Sequence, residues 1–386
     1  MPASPPPSSE TSASTRSTTD AQDAPLLPPQ PDVRAPGSPS DIHPDEVGGP
    51  VSRNPDEATG PIDPTTRLTA AVVYNPTKVS LADIKRSVKK HQKKAGWNET
   101  AFYATSVEDP GGGITHEALA AGADVVIAAG GDGTVRAVAE ALRGSNAALG
   151  LLPAGTGNLL ARNLKLTLDH LDDSIGTVFH GVDRRIDLGV VDIESEDGSR
   201  QRKIFVVMAG LGLDAKMLAN TNERLKKRVG WLAYVDAIIR SLRDDNRMTI
   251  RYDLDGAGAK SMRTNTIILG NCGLLPGNLM LLPDAAVDDG IFDIVALRPE
   301  RRIDWVGIWL KVVWENGVLR RSQIGRRIMQ LTPDLQTVRY MKGTELIVRL
   351  DQAQDFELDG DSAGMAVAIK AWVDPLALRI RVPADA

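Results

Sequence analysis

The sequence predicts two folded parts: an α/β domain with a parallel sheet, then a mainly antiparallel β domain. Three observations carry this prediction. From residue 68 onward, short apolar runs alternate with segments of helical spacing, the pattern of a parallel sheet covered by helices. After about residue 183, strand-like runs dominate. The first 66 residues follow neither pattern: they hold 15 of the 24 prolines, and ten acids against three arginines. Such a segment buries too little apolar surface to offset its ordering entropy, so 1–66 reads as a disordered tail. The expected organisation is a tail at 1–66, an α/β domain at 67–183 and a β domain at 184–386.

The apolar run 68–74 is a strand that stops at Asn75-Pro76. Helical spacing follows over 80–95 and ends at Gly96. A strand near 100–104, a helix over 115–121 and a buried-type strand over 124–129 come next. Gly130-Gly131-Asp132-Gly133-Thr134 then opens a helix that runs to Leu142. The strand 149–152 ends at Pro153 and leads through Ala154-Gly155-Thr156-Gly157-Asn158 into another helix. In the second domain strands are expected at 184–193, 202–209, 247–254, 262–270, 291–297, 335–341, 345–350 and 367–373. Helices are expected there at 214–221, 228–242 and 303–316. The run 376–382 is a strand free to return to either domain.

Composition excludes several classes. The net charge is −5, and the tail alone carries −7, so the folded part is near +2. That balance excludes a generic polybasic nucleic-acid binder. A single cysteine, Cys272, excludes a disulfide framework and a Cys-based metal site. Five histidines without HExxH spacing argue against a zinc hydrolase. No apolar run of about 18 residues and no signal-peptide pattern are seen, so the expected location is the cytoplasm.

The chemistry gathers at two glycine loops. A buried strand running into Gly-Gly-Asp-Gly-Thr and then a helix suits phosphate, since bare backbone N–H groups and the helix start favour an anion. Asp132 in that loop needs a reason, and the usual ones are a magnesium ion or a proton to exchange. The Gly155–Asn158 loop follows one βα unit later, and consecutive loops at strand carboxyl ends face one crevice. No GxxxxGK[ST] is present. Gly210-Leu-Gly212-Leu-Asp214-Ala215 fits a dinucleotide fingerprint, but a long basic helix follows it where a second parallel strand would be needed. Asp214 reads instead as an orienting or capping residue.

Asn75-Pro76, the 130–134 loop and the 155–158 loop are followed by Gly210-Leu-Gly-Leu-Asp214, Pro283-Asp284-Ala285, Asp288-Asp289-Gly290 and Leu358-Asp359-Gly360-Asp361. This ordered set, over residues 69–386, resembles the bacterial diacylglycerol kinase family of soluble lipid kinases, related to sphingosine and ceramide kinases. The resemblance implies an α/β nucleotide domain with helices on both faces and a β-sandwich domain for lipid, with the active site in the cleft between them. It implies ATP contacts at Gly130, Gly131, Asp132, Gly133, Thr134, Val135, Arg136 and Thr156, with Asn75 and Thr105 as further candidates. It places the catalytic base at Asp359, with Asp361 beside it and Asp132 in the nucleotide loop. Here Asp361 stands where the family has Glu, one methylene longer. Physically, Asp359 would take the proton of a lipid hydroxyl, its pKa raised by its neighbour carboxylate. The plainer reading is a hairpin turn, since Asp-Gly favours type I′, and Asp253-Leu-Asp255-Gly256 looks the same and reads as a turn only. The resemblance also implies a structural magnesium at the Asp289 side chain with the carbonyls of Ala286 and Ile291, and a second magnesium on the ATP phosphates. Many relatives have a small Ser-Gly pair after Asn-Pro, whereas this chain has Thr77-Lys78-Val79, so Lys78 is free to meet phosphate or anionic lipid.

Membrane contact rests on local features. Residues 85–94 hold six cations and no acid, and 298–327 hold eight cations, three acids, Trp305, Trp309 and Trp314. Such segments suit an anionic interface, although a solvated helix face and domain core are the plainer readings. The expected activity is ATP- and magnesium-dependent phosphorylation of a membrane lipid hydroxyl, first of all diacylglycerol to phosphatidic acid, at the inner face of the membrane. The alternatives are a kinase for a sphingoid base, ceramide or NAD, or a nucleotide- and lipid-sensing module without catalysis. Edge strands of the β domain leave a homodimer open.

Overall fold

The computed structural model describes residues 67–384 apart from Thr156, Asp169, 213–247, 276–278 and 299–337. The expected tail 1–66, the helices at 214–221, 228–242 and 303–316, and the basic run at 298–327 beyond Arg298 lie outside the described residues, as do Thr156 and Asp214.

The first part alternates as the sequence predicts. Its elements are β1 (Ala70–Tyr74), α1 (Leu81–Ala95), β2 (Ala101–Ala104), α2 (Gly112–Ala120) and β3 (Val125–Gly130). They continue with α3 (Asp132–Leu142), β4 (Ala148–Pro153), α4 (Leu159–Asn163) and α5 (Leu171–His180). The strands pair in parallel in the order β2-β1-β3-β4. The inner strands β1, β3 and β4 are apolar throughout because both faces are covered, while the edge strand β2 is partly exposed. Alternate residues serve different helices. Ala70 and Val72 of β1 join a core with Ile84 and Val88 of α1 and Ile175 and Phe179 of α5. Ala71 and Val73 join another with Val138 and Leu142 of α3. Each fully buried Val, Leu or Phe of this kind stabilises by about 1.5–3 kcal/mol.

Local signals place the helix ends. Ser80 caps α1 by accepting from the Asp83 N–H, and Gly96 closes it at φ 74°. Helix α2 starts three residues earlier than its spacing suggests, because the Asp109 carboxylate accepts the N–H groups of Gly111, Gly113 and Ile114. Helix α5 was not expected; Gly176 and the β-branched residues Ile175, Thr177 and Val178 weaken its local signal, and packing of Ile175, Val178 and Phe179 holds it.

The second part is β-rich, as predicted. Its strands are β5 (Val182–Glu194), β6 (Arg200–Phe205), β7 (Met208–Leu211), β8 (Met248–Leu254), β9 (Lys260–Thr264) and β10 (Thr266–Gly270). A small pair, β11 (Leu274–Leu275) and β12 (Leu279–Met280), precedes β13 (Phe292–Leu297), β14 (Val338–Gly343), β15 (Glu345–Leu358) and β16 (Asp361–Val382). These strands pair antiparallel around a core that includes Phe205, Leu211, Phe292, Val348 and Phe356. Strand β16 is the seam: it runs antiparallel to β15 and β5 and parallel to β4 at Arg379 and Ile380. The expected strand 202–209 is two strands broken at Val206 and Val207, and 262–270 is broken at Asn265. The expected strands 367–373 and 376–382 are parts of the one strand β16. Pro375, which has no N–H, sits at an irregularity in the β16–β5 register. The freed N–H of Leu376 donates to the buried Asp187 carboxylate at 2.7 Å.

Candidate active site

The two glycine loops stack on each other. The Ala154 N–H donates to the Gly130 carbonyl at 3.0 Å. A Cβ on Gly155 would lie 3.0 Å from the Cα of Gly131, and one on Gly157 would lie 2.3 Å from Asp132 Oδ2. Side chains at these positions would force the loops apart. Asn158 locks its own loop: its Oδ1 accepts from the Gly155 N–H and its Nδ2 donates to the Gly155 carbonyl.

Asp132 therefore has a reason that sequence did not supply. Its carboxylate accepts the N–H groups of Asn158 at 3.0 Å and Leu159 at 2.7 Å, joining the two loops. Burial pushes its carboxyl up, the N–H groups of Leu159 and Asn158 pull it down, and the Asp361 charge adds to the rise. The N–H groups of Asp132, Gly133 and Thr134 open α3, where a helix has no acceptors of its own, so they are the donors a phosphate would meet. Thr134 and Val135 turn their side chains inward. The Val135 N–H is spent on the Gly131 carbonyl, so a ligand contact through that group is not available.

Asn75 and Thr105 lie at the carboxyl ends of β1 and β2. The Asn75 carboxamide accepts the N–H and the hydroxyl of Thr77, and so shapes its own turn. The Thr105 N–H donates to the Tyr74 carbonyl at 2.8 Å, and its side chain is buried. The Lys78 ammonium lies over Gly131, where a Cβ would be 2.5 Å from Nζ.

The β15–β16 hairpin brings the second set of residues in. Asp359 and Gly360 have φ 52° and 89° between the paired residues Leu358 and Asp361, so the Asp-Gly turn expected from sequence is present. It is more than a turn. Asp359 is 4% exposed. Its Oδ1 accepts the N–H groups of Val207 at 2.8 Å and Met208 at 3.0 Å, and its Oδ2 that of Val206 at 3.0 Å. Two of these donors lie in the break between β6 and β7, and the third opens β7. Burial pushes the carboxyl up to about 6, against the Val206 N–H, the Arg136 guanidinium and the other two donors, which pull it down. The rise was expected from Asp361; burial causes it instead. Asp361 is exposed, takes a hydrogen bond from Arg136 Nη2 at 2.9 Å, and rests against Gly133. Arg136 thus ties the hairpin to the helix that starts at the phosphate loop.

The proposed metal residues lie apart, in an acidic loop. Asp289 Oδ1 accepts the Ile291 N–H, Asp288 pairs with Arg184, and Lys342 pairs with Asp293 and Asp284. Asp187 is pushed up by burial, and by the charges of Asp289 and Asp288 despite the Leu376 and Gly290 N–H groups. Among the described residues Asp289 makes no salt bridge, and no three His, Cys, Asp or Glu side chains cluster for a metal. A hard cation held by one carboxylate, carbonyls and water fits that donor chemistry. Asp187 and Asn271 were missed from sequence; the available signal was a lone polar residue inside a buried apolar run.

Comparison with known proteins gives a consistent result. Residues 69–191 match the diacylglycerol kinase catalytic domain, and residues 206–382 match the YegS C-terminal NAD kinase beta sandwich-like domain. A diacylglycerol kinase of Bacillus subtilis (strain 168) is 28% identical over 303 residues, 77% of this chain and 90% of its own length. A diacylglycerol kinase of Staphylococcus saprophyticus is 30% identical over 242 residues, 60% of this chain and 73% of its own. The crystal structure of a diacylglycerol kinase from Bacillus anthracis str. Sterne superposes with a TM-score of 0.59 at 17% identity, over 84% of this chain and 99% of that one, and shows the same fold.

Proposed function

Because the chain belongs to the lipid kinase family built on the diacylglycerol kinase catalytic domain, we propose that it transfers the γ-phosphate of ATP to the hydroxyl of diacylglycerol, giving phosphatidic acid. The observation that carries this reading is the Asp359 carboxylate, held near neutrality opposite the phosphate loop and joined to it through Arg136 and Asp361.

The donors at the start of α3 would hold the phosphates, with the Lys78 ammonium over Gly131 adding a positive charge. The lipid hydroxyl oxygen forms a bond to the γ-phosphorus as the bond to the β–γ bridging oxygen breaks. Its proton passes to Asp359, whose Oδ2 accepts one backbone donor among the described residues and has acceptor capacity left for it. Arg136, which pairs with Asp361 and acts on the Asp359 carboxyl, would meet charge on the transferred group. Magnesium, when bound with ATP, would neutralise phosphate charge; Asp289 with the Ala286 and Ile291 carbonyls would hold a structural one.

The lipid requires a membrane surface. Lys85, Lys89 and Lys93 recur at helical spacing along exposed positions of α1, suited to an anionic leaflet at about 1 kcal/mol per cation. Among the described residues no helix is long and apolar enough to cross a membrane. The test is transfer of label from ATP with magnesium to separate vesicles of diacylglycerol, sphingosine and ceramide, with NAD as a soluble acceptor. Label in phosphatidic acid supports the reading. Label only in another acceptor moves the substrate, and none in any acceptor, with ATP bound, removes the kinase reading.

A further inference from the structure

The break between β6 and β7 is held from two sides. On one side the N–H groups of Val206, Val207 and Met208 close on Asp359. On the other side Asn271 and Cys272 hold its carbonyls. Asn271 Nδ2 donates to the Val206 carbonyl at 3.3 Å and to the Asp187 carbonyl at 2.9 Å. The N–H groups of Asn271 and Cys272 both donate to the Val207 carbonyl, at 2.9 and 3.1 Å.

Peptide planarity makes these contacts consequential. The Val206 carbonyl and the Val207 N–H belong to one rigid plane, and the Val207 carbonyl and the Met208 N–H to the next. Fixing each carbonyl fixes the N–H on the far side of the same plane. Both of those N–H groups donate to Asp359 Oδ1. Asn271 also reaches the acidic loop, because Asp187 accepts the N–H groups of Gly290 and Leu376.

Asn271 is more than a space-filling residue. It is 0% exposed, and its Oδ1 has no partner among the described residues. Its two carbonyl partners require the nitrogen to face them, since a carboxamide oxygen cannot donate. Buried side-chain polar atoms normally find a partner, so the orphaned oxygen calls for an explanation. An apolar residue would leave no orphan, but it could not hold two carbonyls.

We propose that Asn271 is a positioning residue that aims the backbone donors at the Asp359 carboxylate and ties this cradle to the Asp187 loop. The assignment rests on the reading of Asp359 as the base. Without the Nδ2 contacts the Val206 carbonyl keeps, among the described residues, the weak Cys272 Sγ contact at 3.7 Å, so the Val206–Val207 plane is held less firmly and the carboxylate loses alignment of a donor that favours its ionised form.

The test uses the full chain with Asn271→Ala and Asn271→Ser, and Asp359→Asn alongside. kcat and the KM for ATP are followed from about pH 5 to about pH 9, where the acid limb reports the base in its substrate complex. Both Asn271 variants should lose about tenfold to a hundredfold in kcat and keep the KM for ATP within about twofold, as misplacement of a reacting group predicts. Their acid limbs should move to higher pH. A loss of kcat with the limb unmoved would mark a merely structural role and overturn the proposal. So would full kcat in a folded variant, or failure of even the serine variant to fold. Wild-type turnover in Asp359→Asn would instead remove the base reading itself, whatever the Asn271 variants do.

Discussion

Asp255-Gly256 and Asp359-Gly360 are the same dipeptide with the same backbone hand, the first in the longer loop between the paired residues Tyr252 and Lys260, the second between the paired residues Leu358 and Asp361. Asp255 and Gly256 have φ 54° and 68°, close to the 52° and 89° of the second pair. Both aspartates accept neighbouring N–H groups: Asp255 takes those of Thr344 and Glu345, Asp359 those of Val206, Val207 and Met208. Their acidities nevertheless move in opposite directions. Slight burial pushes Asp255 up, but the Glu345 and Thr344 donors outweigh it and its carboxyl lies below the usual range. Burial of Asp359 outweighs three donors and a guanidinium. Asp-Gly therefore supplies the positive-φ turn in both places, while desolvation turns one of the two aspartates into a group able to take a proton near neutral pH.

The comparison can be broken most directly by mutation. Asp359→Asn should lower kcat by about 10²- to 10⁴-fold, the usual worth of a positioned base, while nucleotide still binds. Asp255→Asn should leave kcat unchanged in the same labelled-ATP assay. Equal losses in the two variants would show that the turns differ in nothing that matters to catalysis.

The pH response sharpens it next. Asp359 is raised, so its contribution to stability is present below the unfolded value near 4 and is lost as pH rises through about 6. Two units correspond to about 3 kcal/mol. Denaturant unfolding at about pH 4 and about pH 7 should show that loss in the wild type and not in Asp359→Asn. Asp255 is lowered, so its contribution has the opposite sign and is lost as pH falls through its depressed value. On the proposed role of Asp359, turnover should rise with pH through about 6, because a base acts as the ion.

Arg136 separates the two turns further, since only the Asp359 hairpin touches it. Arg136→Gln should cost about 10- to 150-fold in kcat/KM, the range for a charge-assisted hydrogen bond, and should move the acid limb to higher pH. The smallest effect belongs to the surface turn. Asp255→Ala should lower stability by about 1 kcal/mol through lost donors to Thr344 and Glu345, read as a lower melting temperature, with kinetics unchanged.

Much of the fold was legible because its signals are local. Ser80 and Gly96 mark α1 by capping, the all-apolar 125–130 run marks a strand covered on both faces, and Asp-Gly marks a hairpin. Helix α5 was not legible, because tertiary packing rather than propensity holds it. The glycine loops could be found in sequence, but the bond from Asp132 to the second loop could not, since it joins residues 26 and 27 positions apart. Asp361 was read as the neighbour that tunes Asp359; the fold turns it toward Arg136 and leaves burial to do the tuning.

By itself the sequence determined the alternation of most elements in the first part, the strand-rich second part, the family and the residue types at the loops, because these follow from periodicity, turn chemistry and motif order along one chain. Only the tertiary structure decided which of the two Asp-Gly dipeptides is buried, where the strand breaks at Val206 and what Asn271 holds. Desolvation and the aim of backbone donors depend on residues up to 153 positions away, and no local pattern records them.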